Sequence, residues 1–251
     1  MPDTMPTFRF VAHRGERDQH PENTLPAFRS ALELGACCVE FDVQLCADQT
    51  PVVLHDDNLE RCCAVNTTIF EISRTQLTTI SAHEPGRLGE AFHPTPIPTL
   101  REVVTLFNDH PATEVFVELK RASIRRFSRR AMLDAVMPEL ARARFPWHLI
   151  SFDYEILAQA RADCACHIGW VLPEEPPWDK ALAERLAPEY LFADLDALRQ
   201  TDGTLWPGPW QWAIYGVNDP ADVAPLAAAG ARYLETDRLA DLLPLQPGAA
   251  D

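Results

Sequence analysis

Seven side chains stand where apolar runs end or alternate, and their types suit chemistry on a charged oxygen-bearing group. His13 and Arg14 directly follow the apolar run 8–12. Glu40 and Asp42 stand two apart in the run 37–45, and Glu118 and Lys120 two apart in 114–120. His55 closes the run 51–54. Three converging carboxylates offer the oxygen ligands that a hard cation such as Mg2+ or Ca2+ takes. A cation flanked by Arg and Lys suits a phosphate, whose oxygens gain charge in the transition state. An imidazole with a pKa near its ordinary value of about 6.5 can take or give a proton at neutral pH. Two of them could work on opposite sides of phosphorus, one taking a proton from the attacking oxygen and one giving a proton to the leaving alkoxide.

The elements must bring these residues to one place. Besides 8–12 and 37–45, the apolar stretches 114–120, 148–152, 167–172, 190–194, 211–217 and 231–236 read as strands. Ala-, Leu- and Arg-rich stretches at 123–143, 154–162, 179–187 and 220–229 read as helices between them. Pro21-Glu22-Asn23-Thr24 opens an earlier helix, with Asn23 or Thr24 as its cap and Pro26 in its first turn. Leu25, Phe28, Ala31, Leu32 and Leu34 form its apolar face, and Gly35 ends it. Eight strands mostly alternating with helices predict an α/β chain closed into a TIM (β/α)8 barrel. The run 51–55 follows its predecessor too closely for a parallel crossover, so it must fold back as a hairpin arm that carries His55 to the end of strand two. Residues 56–98 have weak periodicity and read as an insertion over one mouth of a single domain spanning 1–251.

Residues two apart on a strand share a face. If Glu40, Asp42, Glu118 and Lys120 faced outward against helices, four charges would be buried unpaired. Facing the barrel interior near its C-terminal mouth, they meet one another and a ligand. Taken singly, each has a plainer reading. Glu40 and Asp42 could pair with Lys120 or Arg14, His13 could be a hydrogen-bonded strand end, Arg14 a surface charge, and His55-Asp56-Asp57 the start of a turn.

Composition narrows the partners. The formal charge of −15 repels nucleic acid and anionic lipid headgroups. No stretch approaches the roughly 20 apolar residues of a membrane helix, so no stable membrane insertion is expected. Residues 1–10 lack a basic and an apolar region, so no signal peptide is expected. Cys164-x-Cys166 with His167 offers thiolates and an imidazole, but zinc sites use wider spacing and a second ligand pair. The plainer reading of the seven Cys is reduced thiols in a cytoplasmic protein, with Cys37 and Cys38 packed in a strand. Residues 246–251 read as a loose tail. Ile69, Phe70, Ile72 and Phe92 serve either to cover the core or to join copies into a homo-oligomer.

The motifs also carry a resemblance. Ala12-His13-Arg14-Gly15, Pro21-Glu22-Asn23-Thr24, Val39-Glu40-Phe41-Asp42-Val43, Val53-Leu54-His55-Asp56, Leu59-Glu60-Arg61, Ile97-Pro98-Thr99-Leu100-Arg101-Glu102 and Val117-Glu118-Leu119-Lys120 resemble the glycerophosphodiester phosphodiesterase family. The likeness returns at Ser151-Phe152-Asp153 and over 230–243. It implies a TIM barrel with an insertion after the hairpin. It implies hydrolysis of a small-molecule glycerophosphodiester to glycerol-3-phosphate and an alcohol. By resemblance, His13 and His55 are the acid-base pair, Glu40, Asp42 and Glu118 hold the divalent cation, and Arg14 and Lys120 contact the phosphate. Phospholipase C-like relatives suggest a cyclic phosphate intermediate; attack by water stays open beside it. The chain departs from the family pattern at Cys62–Thr67, at Tyr215-Gly216-Val217-Asn218 and at Leu234-Glu235-Thr236-Asp237-Arg238. These departures bear on the substrate, leaving a lysophospholipid or another phosphodiester as alternatives. A non-catalytic phosphodiester-binding module is the third reading.

Overall fold

The computed structural model describes residues 7–247; residues 1–6, where most of the expected leaderless start lies, and 248–251 of the expected tail fall outside it. The strands are β1 (Arg9–His13), β2 (Cys38–Leu45), β3 (Pro51–Val53), β4 (Glu114–Leu119), β5 (Trp147–Ser151), β6 (Ile168–Val171), β7 (Tyr190–Asp194), β8 (Gln211–Tyr215) and β9 (Ala231–Thr236). Eight of them pair in parallel around a ring, β1-β2-β4-β5-β6-β7-β8-β9, and β9 returns to β1. β3 alone runs antiparallel, with Val53 opposite Val43 and Pro51 opposite Leu45. This is the closed barrel of eight parallel strands, with the hairpin arm that the short connection required.

Alternation along the strands fills the interior in layers. Val11, Phe116, Ile150, Val171, Phe192 and Ala213 form an apolar waist. On the N-terminal side, Glu114 accepts hydrogen bonds from Tyr190 and Tyr233, pairs with Arg9 at 2.8 Å and lies 2.8 Å from His148 Nε2. On the C-terminal side the next inward positions are His13, Glu40, Glu118, Tyr215 and Glu235, and these line a cavity. A buried polar layer needs partners; in the lower one Glu114 has them within the protein, while His148 Nδ1 has none.

The helix Leu25–Glu33 starts at Thr24, whose Oγ1 accepts from Ala27 N, and buries Phe28 and Ala31. Leu34 of its expected apolar face is exposed. The stretch expected as one helix over 123–143 is two, Arg121–Phe127 and Arg129–Leu140. They break at Ser128, where φ is 104° and the side chain caps the second helix through Ala131 N. A further helix, Leu100–Phe107, was not expected; a capping box of Thr99 and Glu102 starts it.

Residues 56–98 form a collar around the β3 arm, built of short helices at Glu60–Cys63, Arg74–Leu77 and Pro85–Leu88. It has its own small core, in which Leu59, Cys62, Cys63, Ile69 and Leu77 pack on Val52 and Leu54. Ile69 is buried there, with Phe70 and Ile72 packed against it, and Phe92 rests on His20 at 5.2 Å. The tail is not loose where it is described: Gln246 Oε1 accepts from Phe10 N at 2.7 Å. No helix among the described residues is long and apolar enough to cross a membrane.

The turn after β1 sets the first site residues. Arg14 and Gly15 both have positive φ, 57° and 85°. A Cβ at Gly15 would stand 2.8 Å from the carbonyl carbon of Ala27. Both the dihedral and the close approach therefore require glycine. Gly15→Ala is expected to cost about 1–3 kcal/mol, read as a lowered melting temperature; an unchanged melt would show that the turn relaxes freely.

Candidate active site

The barrel register sets His13 opposite Glu40 and Asp42 opposite Glu118. Ligand atoms of Glu40, Asp42 and Glu118 lie within 4.8 Å of one another. Lys120 Nζ stands 3.1 Å from Asp42 Oδ1 and 3.0 Å from Glu118 Oε1. Arg14 Nε lies 3.2 Å from Asp42 Oδ2, and its Nη1 lies 2.9 Å from Glu22 Oε1. His55 joins them from the hairpin, held by Gln44 Nε2 donating to its carbonyl at 2.9 Å. Six of the seven expected residues line one cavity of about 90 Å3, and the seventh, Asp42, lies behind Arg14 and Lys120. Its lining residues His55, Glu118, Lys120, Phe152 and Glu174 also line a wider cavity of about 600 Å3.

Both histidines are oriented in the same way. His13 Nδ1 lies 2.7 Å from Asp237 Oδ1, and His55 Nδ1 lies 2.6 Å from Asp56 Oδ1. An ionised carboxylate only accepts, so each Nδ1 carries the proton and each Nε2 is left as an acceptor; His55 Nε2 meets no partner among the described residues, and His13 Nε2 accepts from Arg14 Nε at 3.1 Å. Asp237 is itself held: it pairs with Arg17 at 3.0 Å, and its backbone N donates to Asn218 Oδ1 at 2.9 Å. Arg61 Nε holds Asp56 at 2.6 Å. The motif Pro21–Thr24 serves the site as well as the helix cap. Asn23 Nδ2 donates to Asp42 Oδ2 at 2.8 Å, and Asn23 Oδ1 accepts from Asp42 N at 3.2 Å. Glu22 gathers Arg14, Arg17 and Arg61 around one buried carboxylate.

The charges at the floor are unequal. Burial raises Glu40 well above the usual carboxylate range, and the charges of Asp42, Glu235 and Glu118 add to this. Asp42 is equally buried, but Lys120 and Arg14 hold it well below that range. Burial favours the neutral form of Glu22 too, yet the three arginines bring it down to about 2. Burial, and then the charge of Arg14, pushes His13 down to about 4 against the pull of Asp237. His13 is thus a neutral base at pH 7.

Two buried oxygens at the floor, Glu40 Oε1 and Glu235 Oε2, have no hydrogen-bond partner. Buried carboxylates held together without enough cationic partners need a counter-charge. The oxygen-rich donor set of Glu40, Asp42 and Glu118 fits a hard divalent cation.

Several residues of the site escaped the sequence reading. Asp56 and Asp237 orient the histidines, Glu22 and Asn23 hold Arg14 and Asp42, and Glu235 is a fourth carboxylate in the cavity. Glu235 was legible as an acid two places from Tyr233 in an apolar strand. The expectation that the Cys62 departure lies beside the substrate is corrected: Cys62 and Cys63 are buried in the collar core and line neither cavity. Tyr215 and Glu235, from the other two departures, do line the smaller one. Cys164, Cys166 and His167 take no part in the potential ligand clusters of the described residues.

Comparison with known proteins follows the same lines. The sequence profile of the glycerophosphoryl diester phosphodiesterase family matches residues 13–161, a stretch holding all seven expected site residues. Glycerophosphodiester phosphodiesterase 1 of Rattus norvegicus is 36% identical over 110 residues, 44% of this chain and 33% of that protein. The chain thus spans about a third of that relative's length. The uncharacterized protein YqiK of Bacillus subtilis is 29% identical over 237 residues, 91% of this chain and 94% of that protein. An Oleispira antarctica phosphodiesterase, solved in complex with the product sn-glycerol-3-phosphate, superposes with a TM-score of 0.81 at 23% identity. That match covers 94% of this chain and 95% of the other, and it speaks to the fold. With the profile covering more than half of its length, the chain belongs to the glycerophosphoryl diester phosphodiesterase family.

Proposed function

We propose that the chain is a cation-dependent phosphodiesterase that hydrolyses glycerophosphodiesters to glycerol-3-phosphate and an alcohol. The observation that carries this reading is the convergence of two carboxylate-oriented histidines, a carboxylate triad, Arg14 and Lys120 on one cavity. Glu40, Asp42 and Glu118 would hold Mg2+ or Ca2+. A bound cation supplies Lewis-acid stabilisation of the charged phosphoryl oxygens. Arg14 and Lys120 add fixed positive charge beside the same oxygens. His13, neutral at pH 7, takes the proton of the attacking oxygen through Nε2. His55, steadied by Asp56, gives a proton to the leaving alkoxide. The attacking oxygen is either the glycerol 2-hydroxyl or water; both make the same demand on His13.

The wider cavity bears on the alcohol that leaves. Asp57, Asn58, Glu60, Arg61, Arg121 and Arg125 line it, and Phe152 is its one aromatic. Such a wall suits a polar headgroup better than an acyl chain. The same reading takes the collar at 56–98 as part of one catalytic domain. Release of sn-glycerol-3-phosphate is the test, across glycerophosphocholine, glycerophosphoethanolamine, glycerophosphoinositol and a lysophospholipid. Turnover of the simple diesters with Mg2+ or Ca2+, lost in EDTA, is expected. A preference for the lysophospholipid would replace the substrate assignment. Turnover undiminished in EDTA would remove the cation. Binding of every diester without turnover would leave the binding-module reading.

A further inference from the structure

Glu235 has no place in the chemistry above, yet it is buried at the same floor. It sits on β9 opposite Val11 of β1, inward like Tyr233, and lines the cavity with His13 and Glu40. Its Oε1 lies 3.5 Å from His13 Nε2, and its Oε2 has no partner. Glu40 has the same defect: its Oε2 accepts from Arg14 N at 3.3 Å, and its Oε1 is orphaned. Both residues are more than nine-tenths buried, at 4% and 2% exposure. Asp42 and Glu118 share Lys120 at 3.1 and 3.0 Å. Glu40 and Glu235 pair with no Lys or Arg side chain among the described residues. The orphaned oxygens therefore lie with His13, whose Nε2 accepts from Arg14 Nε at 3.1 Å, a bond that an ion on Nε2 would displace.

The geometry holds two ion-sized gaps that meet at Glu40. One is bounded by Glu40, Asp42 and Glu118, the other by His13, Glu40 and Glu235, with the ligand atoms of each set within 4.8 Å of one another. We propose that Glu235 creates a second divalent-cation site, with His13 Nε2, Glu40 and Glu235 as ligands and Glu40 bridging the two ions. The inference rests on the reading of Glu40 as a cation ligand. An imidazole nitrogen beside two carboxylates favours a transition ion such as Mn2+ over Ca2+, whereas the all-oxygen site accepts either. Ions that share one carboxylate in this way stand about 3.5–4 Å apart. Occupation of the second site would take His13 Nε2 out of proton transfer, so it opposes turnover.

The probe is Mn2+, added to the metal-free full chain and followed by electron paramagnetic resonance. Two bound Mn2+ per chain are expected, with the spectrum of an exchange-coupled pair. Glu235→Gln and Glu235→Leu are expected to bind one, with the six-line spectrum of an isolated ion; circular dichroism melts report whether each variant is folded. The wild-type spectrum decides even if a variant fails to fold. A single ion, or two uncoupled ions, in the wild type would overturn the second site and leave the first cation reading standing. A coupled pair that persists in both variants would overturn the role of Glu235. No bound Mn2+ at all would overturn both cation readings together.

Discussion

Replacing His13 with alanine is expected to lower kcat for glycerophosphodiester hydrolysis by about a hundredfold to ten-thousandfold, with the fold intact. That is roughly 3–5 kcal/mol of transition-state stabilisation. In the proposed mechanism His13 is the base, and the one other imidazole that lines the cavity among the described residues, His55, serves the opposite proton transfer. Its removal should leave the barrel standing, because its ring packs at the mouth and not in the apolar waist. Asp237→Asn is expected to fall between wild type and His13→Ala. Asparagine can still meet Nδ1, but through its amide it no longer enforces the Nδ1-protonated form. Steady-state kinetics with a thermal melt of each variant separates the two effects. A His13→Ala enzyme with more than a tenth of wild-type kcat would remove His13 from the proton-transfer step.

The second large effect has opposite signs at neighbouring carboxylates. In EDTA, Glu40→Gln is expected to raise the melting temperature, because it removes a carboxyl whose ionisation burial and three nearby carboxylates oppose. Asp42→Asn is expected to lower it. Asp42 is the partner of Arg14 at 3.2 Å and of Lys120 at 3.1 Å, both nearly buried. Breaking such a pair costs about 3–5 kcal/mol, and each kcal/mol shifts the midpoint by about 2–4 °C in a chain of this size. With Mg2+ or Ca2+ at about 100 times its dissociation constant, wild type should gain about 2.7 kcal/mol. Neither variant should gain as much. Calorimetric melts with and without cation read all of these. A fall in stability for Glu40→Gln in EDTA would mean that its charge is already compensated within the protein.

The barrel was legible because its strands are short, apolar and evenly spaced, and the inward charges were legible because strand alternation is strict. The short connection Leu45–Thr50 is enough to place His55, because it is too short for a parallel crossover. The partners of the histidines were a different matter. Asp237 meets His13 across 224 residues, and only closure of β9 onto β1 brings them together. No local pattern encodes that pairing. Helix Leu100–Phe107 has a local signal in the capping box of Thr99 and Glu102, but its eight residues give only a short apolar period. The break at Ser128 depends on a positive φ that its sequence neighbours do not demand. A departure from a family pattern does not by itself place Cys62 and Cys63 beside a substrate. Their burial in the collar shows that they answer to packing.

In the proposed arrangement one phosphodiester is held between His13 and His55 over a cation on Glu40, Asp42 and Glu118. A crystal grown with Ca2+, which the His13 side disfavours, and sn-glycerol-3-phosphate, with the anomalous scattering of calcium collected at long wavelength, tests this arrangement. The expected result is a metal peak ligated by all three carboxylates, with the phosphorus between the two Nε2 atoms and its oxygens on Arg14 and Lys120. A phosphate bound elsewhere, or no metal peak at the three carboxylates, would contradict it.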